Sequence, residues 1–393
     1  MSTRPRAAVV GGGPAGLMAA EVLASAGVAV TVLERMPSPG RKLLLAGRGG
    51  LNLTHAEPMD AFLDRYGAAR PRLAAAIEAF GPDDLRAWAT GLGEEPFVGS
   101  SGRVFPAGFR ATNLLRAWLR RLEELGVGIR TRHSWAGWSD EISALADVTV
   151  LALGGASWPR SGSDGTWVEA MSREGIAVSS LRPANGGFVV DWSTPFRERF
   201  AGVPLKNVAL THGGTVVRGE AVVTERGIEG GAVYALSASL REAVAARGSA
   251  TLLVDVQPDR TEADVAERLG NARPKDSTAA VLRRAGLPPV AVGLLREATG
   301  NRLPVGPVTM ARLIKAVPID LVGTMPIERA ISTAGGIALD EVDDDFMLRR
   351  RPGTFVAGEM LDWEAPTGGY LLQACFSTGV AAARGALGRL APS

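Results

Sequence analysis

Apolar positions near the start of the chain follow two alternating periods. Residues 7–10 (AAVV) form a short unbroken apolar run, residues 14–26 carry small and apolar side chains over a helical length, and residues 28–34 (VAVTVLE) form a second run. Such short, fully apolar runs suit strands buried on both faces, so the pattern predicts strand, helix and parallel strand. Residues 145–159 (LADVTVLALGGASWP) read as another buried strand, ending at Gly154 and Gly155. Residues 351–387 read as a strand ending at Gly358 and Glu359, then a loop, then a helix with Gly368 and Gly369 in its first turn.

The middle of the chain has a different rhythm. From about Asn185 to Val256, short alternating segments (GGFVVDW, KNVALTHGGTVVRGEAVV, ATLLVDVQ) predict an antiparallel sheet or small barrel. From Thr261 to about Thr299 the period becomes helical, with turn-like RPKD and LPP between segments. The expected organisation is therefore discontinuous. Residues 1–183 and 331–393 are expected to form an α/β domain, 184–257 and 304–330 a β-rich domain, and 258–303 a helical insertion.

Glycines at 11, 13 and 16 mark the passage from the first strand into the first helix. Gly11 allows a tight turn, Gly13 allows backbone to approach a pyrophosphate, and Gly16 lets helix and sheet pack closely. Pro14 suits the first helical turn, whose free N–H groups and positive dipole end face the phosphates. Glu34 closes the second strand roughly 20 residues on, where a carboxylate can bond a ribose diol. An acid there disfavours a 2′-phosphate and leaves NAD and FAD both open.

Totals narrow the class. A length of 393 residues predicts two or three domains, and 46% hydrophobic with 21% charged residues supports sizeable cores. A formal charge of +2, without a basic run, gives no reason to expect nucleic acid or an anionic membrane as partner. The N-terminal MSTRPRAAVV passes directly into the first strand, and no apolar run reaches about 18 residues. One cysteine, Cys375, fits a reducing cytoplasm, which is the expected location. Oligomeric state is left open.

The C-terminal segments resemble the FAD domain of glutathione-reductase-type flavoproteins, and this resemblance selects FAD. It implies that Glu359 faces the ribitol or pyrophosphate and that the last helix aims its N-terminus at the flavin pyrimidine edge. A narrower set of motifs resembles the three-domain bacterial NAD(P)/FAD-dependent oxidoreductases of the BaiN-like and aminoacetone-oxidase-like kind. These motifs are Gly40-Arg41-Lys42 with the glycine loop to Asn52, GRVFP at 102–106, LGGASWP at 153–159, GGI at 335–337, and GE-x-LD with GGY-x-LQ at 358–373. The chain departs from that pattern at Ala46, Gly50, Leu51, Glu225, Gly231 and Leu371, which marks a divergent subgroup.

The resemblance implies a set of cofactor residues. Gly11, Gly13, Pro14, Ala15 and Gly16 would take the pyrophosphate, with Glu34 and Arg35 at the adenosine. Arg41 and Lys42 would complement the phosphates, Trp135 would lend its backbone to the adenine, and Asn52, Ala152 and Gly154 would line the site. Gly358, Glu359, Gly368, Gly369, Tyr370 and Leu371 would lie along the ribitol and flavin. His55, His133 and His212 lack metal-ligand spacing, so no metal is expected; Cys375, in the apolar LLQACFSTG, reads as a packed thiol. Glu225 and Arg226 read either as substrate-facing residues or as an exposed pair, and no catalytic base is assigned.

The expected function is hydride transfer between a small-molecule substrate and non-covalent FAD. Oxygen as acceptor would give an amine-oxidase-like activity. NAD(P)H as donor would give a reductase of an unsaturated substrate, although no second dinucleotide fingerprint is present. An RNA-modifying flavoprotein and a flavin protein without turnover are the rival readings.

Overall fold

Arg6–Val10 is buried from Ala7 onward, as a run with no polar face requires. In the computed structural model, which describes residues 4–138, 146–271, 273 and 275–391, this strand is the centre of a five-stranded parallel sheet. The order across the sheet is Thr354–Val356, Val148–Leu151, Arg6–Val10, Ala29–Glu34, Gly128–Thr131. Val9 pairs with Val32 on one side and Val150 on the other, so the chain order reverses at the central strand. A reversal of this kind opens a crevice beyond the carboxyl ends of the strands.

Two helices, Pro14–Ser25 and Tyr370–Leu390, pack against each other and against this sheet. They touch almost backbone to backbone: a Cβ on Gly379 would come within 2.4 Å of the Ala15 carbonyl oxygen. Glu21, on the inner side of the first helix, is buried but satisfied. It accepts from Trp118 Nε1 at 2.6 Å and Trp88 Nε1 at 3.1 Å and pairs with Arg121 at 3.1 Å, which lets a carboxylate sit within an apolar layer.

The expected strand around 145–155 is shorter in the structure. It ends at Leu151, because Gly154 turns the backbone to a φ of +75°; Leu145, its expected first residue, lies outside the described residues. Gly368 and Gly369 likewise precede the last helix, with φ of +133° and +106°, rather than forming its first turn.

Residues 184–330 make a second compact unit, distinct from the one built by the rest of the chain. Its seven strands are ordered Val317–Leu321, Ala250–Asp255, Pro204–His212, Thr215–Thr224, Gly227–Glu229, Phe188–Val189, Gly323–Thr324, with every neighbouring pair antiparallel. The two edge strands are separated in sequence by Val322 alone. One stretch of chain thus bonds to both edges, which curls the sheet into a barrel-like form.

Helices Glu262–Gly270, Thr278–Arg284 and Pro289–Ala298 follow the helical periodicity. A further helix, Pro307–Lys315, forms where the sequence pattern suggested only β structure; Pro307 opens it and Met310, Ala311 and Ile314 bury one face. Sheet residues Leu210, Val254 and Ile319 share one apolar core with Val265, Leu282 and Leu295 from these helices. The whole is a Rossmann-type domain carrying an inserted, mainly-β part with a small helical group. Among the described residues no helix is long and apolar enough to cross a membrane.

Candidate functional site

A cleft opens at the carboxyl ends of the three central strands, and the glycine turn forms its floor. Gly11 has a φ of +107°, and a Cβ there would lie 2.2 Å from the Ala152 carbonyl oxygen. A Cβ on Gly16 would lie 2.0 Å from the Gly11 oxygen. These two glycines are demanded by the fold itself. Gly13 is different: its φ is −85°, and a Cβ there would meet no protein atom within 4 Å. The bare backbone at Gly13 leaves room that the protein does not use, beside a helix N-terminus with no side-chain cap and no acid in its first turn.

Glu34 is held by backbone. Its Oε2 accepts from the Gly12 N–H at 2.8 Å and its Oε1 from the Met36 N–H at 2.7 Å, while the side chain still lines the cleft. Each carboxylate oxygen retains a lone pair for a diol hydroxyl. Arg35 bonds Asp164 across the cleft wall. Burial would raise the Asp164 pKa, but hydrogen bonds from Arg35 and Thr166 outweigh it and hold this carboxyl below the usual carboxylate range.

Two residues lining the same cleft carry a buried polar atom that has no partner among the described residues: Ser163 Oγ and Trp135 Nε1. Buried polar atoms are nearly always bonded, so both point to a polar ligand. Trp135 stands edge-on to Trp138 at 5.3 Å, and the His133 N–H bonds the Glu34 carbonyl at 3.0 Å, which runs this segment alongside the second strand.

At the other end Lys42 Nζ donates to Ser157 Oγ at 2.7 Å and to Glu359 Oε2 at 2.6 Å. Lys42 therefore neutralises Glu359 as well as facing the cleft, whereas Arg41 is exposed and makes no ion pair among the described residues. Cys375 also touches this end; burial and the neighbouring Glu359 charge push its thiol well above its ordinary pKa, so it stays protonated.

The cleft thus brings together Gly11, Gly13, Pro14, Ala15, Glu34 and Arg35 with Arg41, Lys42 and Trp135. Ala152, Gly154, Gly358 and Glu359 complete it, and Gly16 lies behind as packing. Asn52, Gly368, Gly369, Tyr370 and Leu371 do not line this cleft. They belong to a second locus, where the Thr54–His55 strand meets the start of the last helix.

A Cβ on Gly369 would come within 2.5 Å of the Thr54 backbone. Tyr370 stacks on His55 at 5.3 Å and donates its hydroxyl to Glu57 Oε1 at 2.6 Å, while Arg65 grips both Glu57 oxygens at 3.0 and 2.7 Å. Arg65 holds the Glu57 carboxyl below its ordinary range, and burial together with Glu57 raises the Tyr370 pKa. The hydroxyl of Tyr370 is therefore committed to the protein. Asn52 Oδ1 is buried without a partner among the described residues, and Leu371 packs into apolar core.

Sequence reasoning missed Asp164 and Ser163, although the run SGSDG at 161–165 carries small residues and an acid just after a strand end. It also missed Glu57 and Arg65, which are joined to Tyr370 only by the fold.

The family described as HI0933-like protein Rossmann domain matches residues 5–385. A 3-dehydro-bile acid delta(4,6)-reductase of Clostridium scindens is 29% identical over 98% of this chain and 99% of its own length. A ribosomal RNA dihydrouridine synthase of Escherichia coli is 25% identical over 96% of this chain and 97% of its own. The open conformation of a flavocytochrome c3 fumarate reductase shares the fold, with a TM-score of 0.52 and 14% identity over all of this chain and 79% of that one.

Proposed function

The chain belongs to the HI0933-like family and is an FAD-dependent oxidoreductase; from that premise we propose that it saturates a carbon–carbon double bond conjugated to a carbonyl, using electrons from NAD(P)H. The observation that carries this reading is the kind of product named by two relatives aligned over nearly the whole chain. A delta(4,6)-reductase removes ring unsaturation, and dihydrouridine is uridine with its ring double bond saturated. In balance, the substrate gains two electrons and two protons, NAD(P)H gives up two electrons and one proton, and the second proton comes from solvent.

The residues of the cleft fit FAD. Gly13 and the open end of helix Pro14–Ser25 would receive the pyrophosphate, with Arg41 adding positive charge. Glu34 would accept the adenosine ribose hydroxyls, and Trp135 and Ser163 would supply polar groups that have no partner among the described residues. Lys42 and Glu359, paired with each other, would bond the ribitol end. Bound flavin supplies two-electron redox chemistry; the protein supplies position and electrostatics. Gly369, pressed on Thr54, and Tyr370, fixed by Glu57, set the direction of the last helix and so of its positive end.

We also propose the domain division expected above: residues 1–183 with 331–393, 184–257 with 304–330, and the helical insertion 258–303. A second reading, with uridine in RNA as the unsaturated substrate, draws on the Escherichia coli relative. An amine-oxidase-like activity has no support from either relative.

The test is anaerobic stopped flow. NADH or NADPH should bleach the flavin, and a steroid 4-en-3-one or a uridine-containing ribosomal RNA fragment should restore its colour, one identifying the small-molecule reading and the other the RNA reading. Reduction by amines, with colour restored by oxygen alone, would sink the proposal.

A further inference from the structure

Within residues 184–330 a second concave site lies among helices Thr194–Phe200, Thr278–Arg284 and Pro289–Ala298. Its apolar wall is made by Phe196 and Phe200, whose rings meet at 5.2 Å, together with Val292. Gly293 makes this wall possible, because a Cβ there would lie 2.4 Å from the Phe200 ring.

The rim carries Arg199, Arg283 and Arg296, all exposed. None of the three has an acidic partner among the described residues. Arg199 lies over the Phe200 ring at 5.4 Å, and the Arg283 side chain donates to the Ala279 carbonyl of its own helix, at 3.3 Å, its one bond among the described residues. Among the described rim residues one acid, Glu297, accepts from both the N–H and the hydroxyl of Ser193; it pairs with none of the three guanidiniums and offsets one of their three charges. The free carbonyls at the end of Pro289–Ala298 do not recruit the guanidiniums either: Asn301 N–H caps Arg296 O at 2.7 Å and Gly300 N–H caps Glu297 O at 3.2 Å.

Three positive charges against one negative leave the concavity net positive, and guanidinium groups are the preferred partners of carboxylate and phosphate. An apolar wall beneath such a rim suits a ligand with a charged head and an apolar body. We propose that this cleft of the inserted unit binds a small amphipathic organic anion. The site shares no residue with the nucleotide cleft, and the proposal stands whichever redox reaction the enzyme performs.

Calorimetric titration of the FAD-loaded full-length protein with octanoate tests it, with octan-1-ol, inorganic phosphate and a short RNA oligonucleotide as the other arms. Octanoate should bind saturably at one site and weaken with salt. The double variant Arg199→Gln with Arg296→Gln should lose roughly tenfold or more in affinity, the loss expected when charge-assisted hydrogen bonds are removed. Its FAD content and thermal midpoint should match the parent, and Arg283→Gln alone should give a smaller loss. Equal binding of octanol, equal binding of phosphate, an unaffected double variant or no saturable binding would each overturn the proposal. Tight, salt-sensitive binding of the oligonucleotide that displaces octanoate would also overturn it, assigning the rim to a nucleic-acid backbone instead.

Discussion

At the scale of single residues, the three glycines of the first turn do different work, and this separates folding from cofactor binding. Gly13→Val places a side chain in space the protein leaves open, at a φ of −85° that valine adopts readily. The variant should fold with the thermal midpoint of the apoprotein while its affinity for FAD falls roughly tenfold or more; full FAD content in a folded Gly13→Val would contradict the assignment. Gly11→Ala should instead destabilise the apoprotein, by about 1–3 kcal/mol from its backbone conformation alone and further from the Ala152 carbonyl 2.2 Å from the new Cβ. Thermal unfolding of both apoproteins distinguishes the two effects. The glycine spacing and Glu34 were legible in the sequence because a local turn and a fixed strand–helix–strand length determine them. Asp164 and Ser163 were not legible, since only the pairing of Val148–Leu151 with Arg6–Val10 brings their loop to the nucleotide end.

Among elements, the start of the last helix is the joint on which the second locus depends. Glu57 binds Arg65 and Tyr370 at once, and its pKa is lowered chiefly by the Arg65 hydrogen bonds from an ordinary 4.5. A carboxyl with a lowered folded-state pKa stabilises the fold fully above its unfolded value, and this contribution is lost as pH falls through the folded one. Glu57→Gln should therefore lower the thermal midpoint near pH 7 and flatten the decline in stability on acidification from about pH 5 to pH 3. An unchanged acid slope in the variant would contradict that role. The helix itself was predictable from LLQACFSTG and its flanking glycines. Its anchoring was not, because Glu57 lies 313 residues from Tyr370 and its stretch of sequence has no period that marks a contact. Pro307–Lys315 equals the Glu262–Gly270 helix in length but stands alone inside the segment 304–330, whose flanking short runs read as β, so no neighbouring helical period marked it.

Over the whole molecule, two distant parts of the chain build one parallel sheet, and the intervening residues 184–330 fold as a unit of their own. This discontinuity was legible because the change from fully apolar runs to alternating segments and back is a change of sheet type. Barrel-like closure was only half legible, since it depends on Val322 passing the chain from one sheet edge to the other. The sheet order places Gly11, Glu34, Ala152 and Gly358 around one crevice, and we propose that this crevice holds one FAD. The measurement that tests it most directly is the flavin content of the purified chain, released by heat and identified by chromatography, with thermal unfolding of the apoprotein as FAD is added back. Close to one FAD per chain is expected and, at a hundredfold excess over the dissociation constant, about 2.7 kcal/mol of added stability, seen as a rise of several degrees in midpoint. A folded apoprotein whose midpoint does not move with FAD would contradict it.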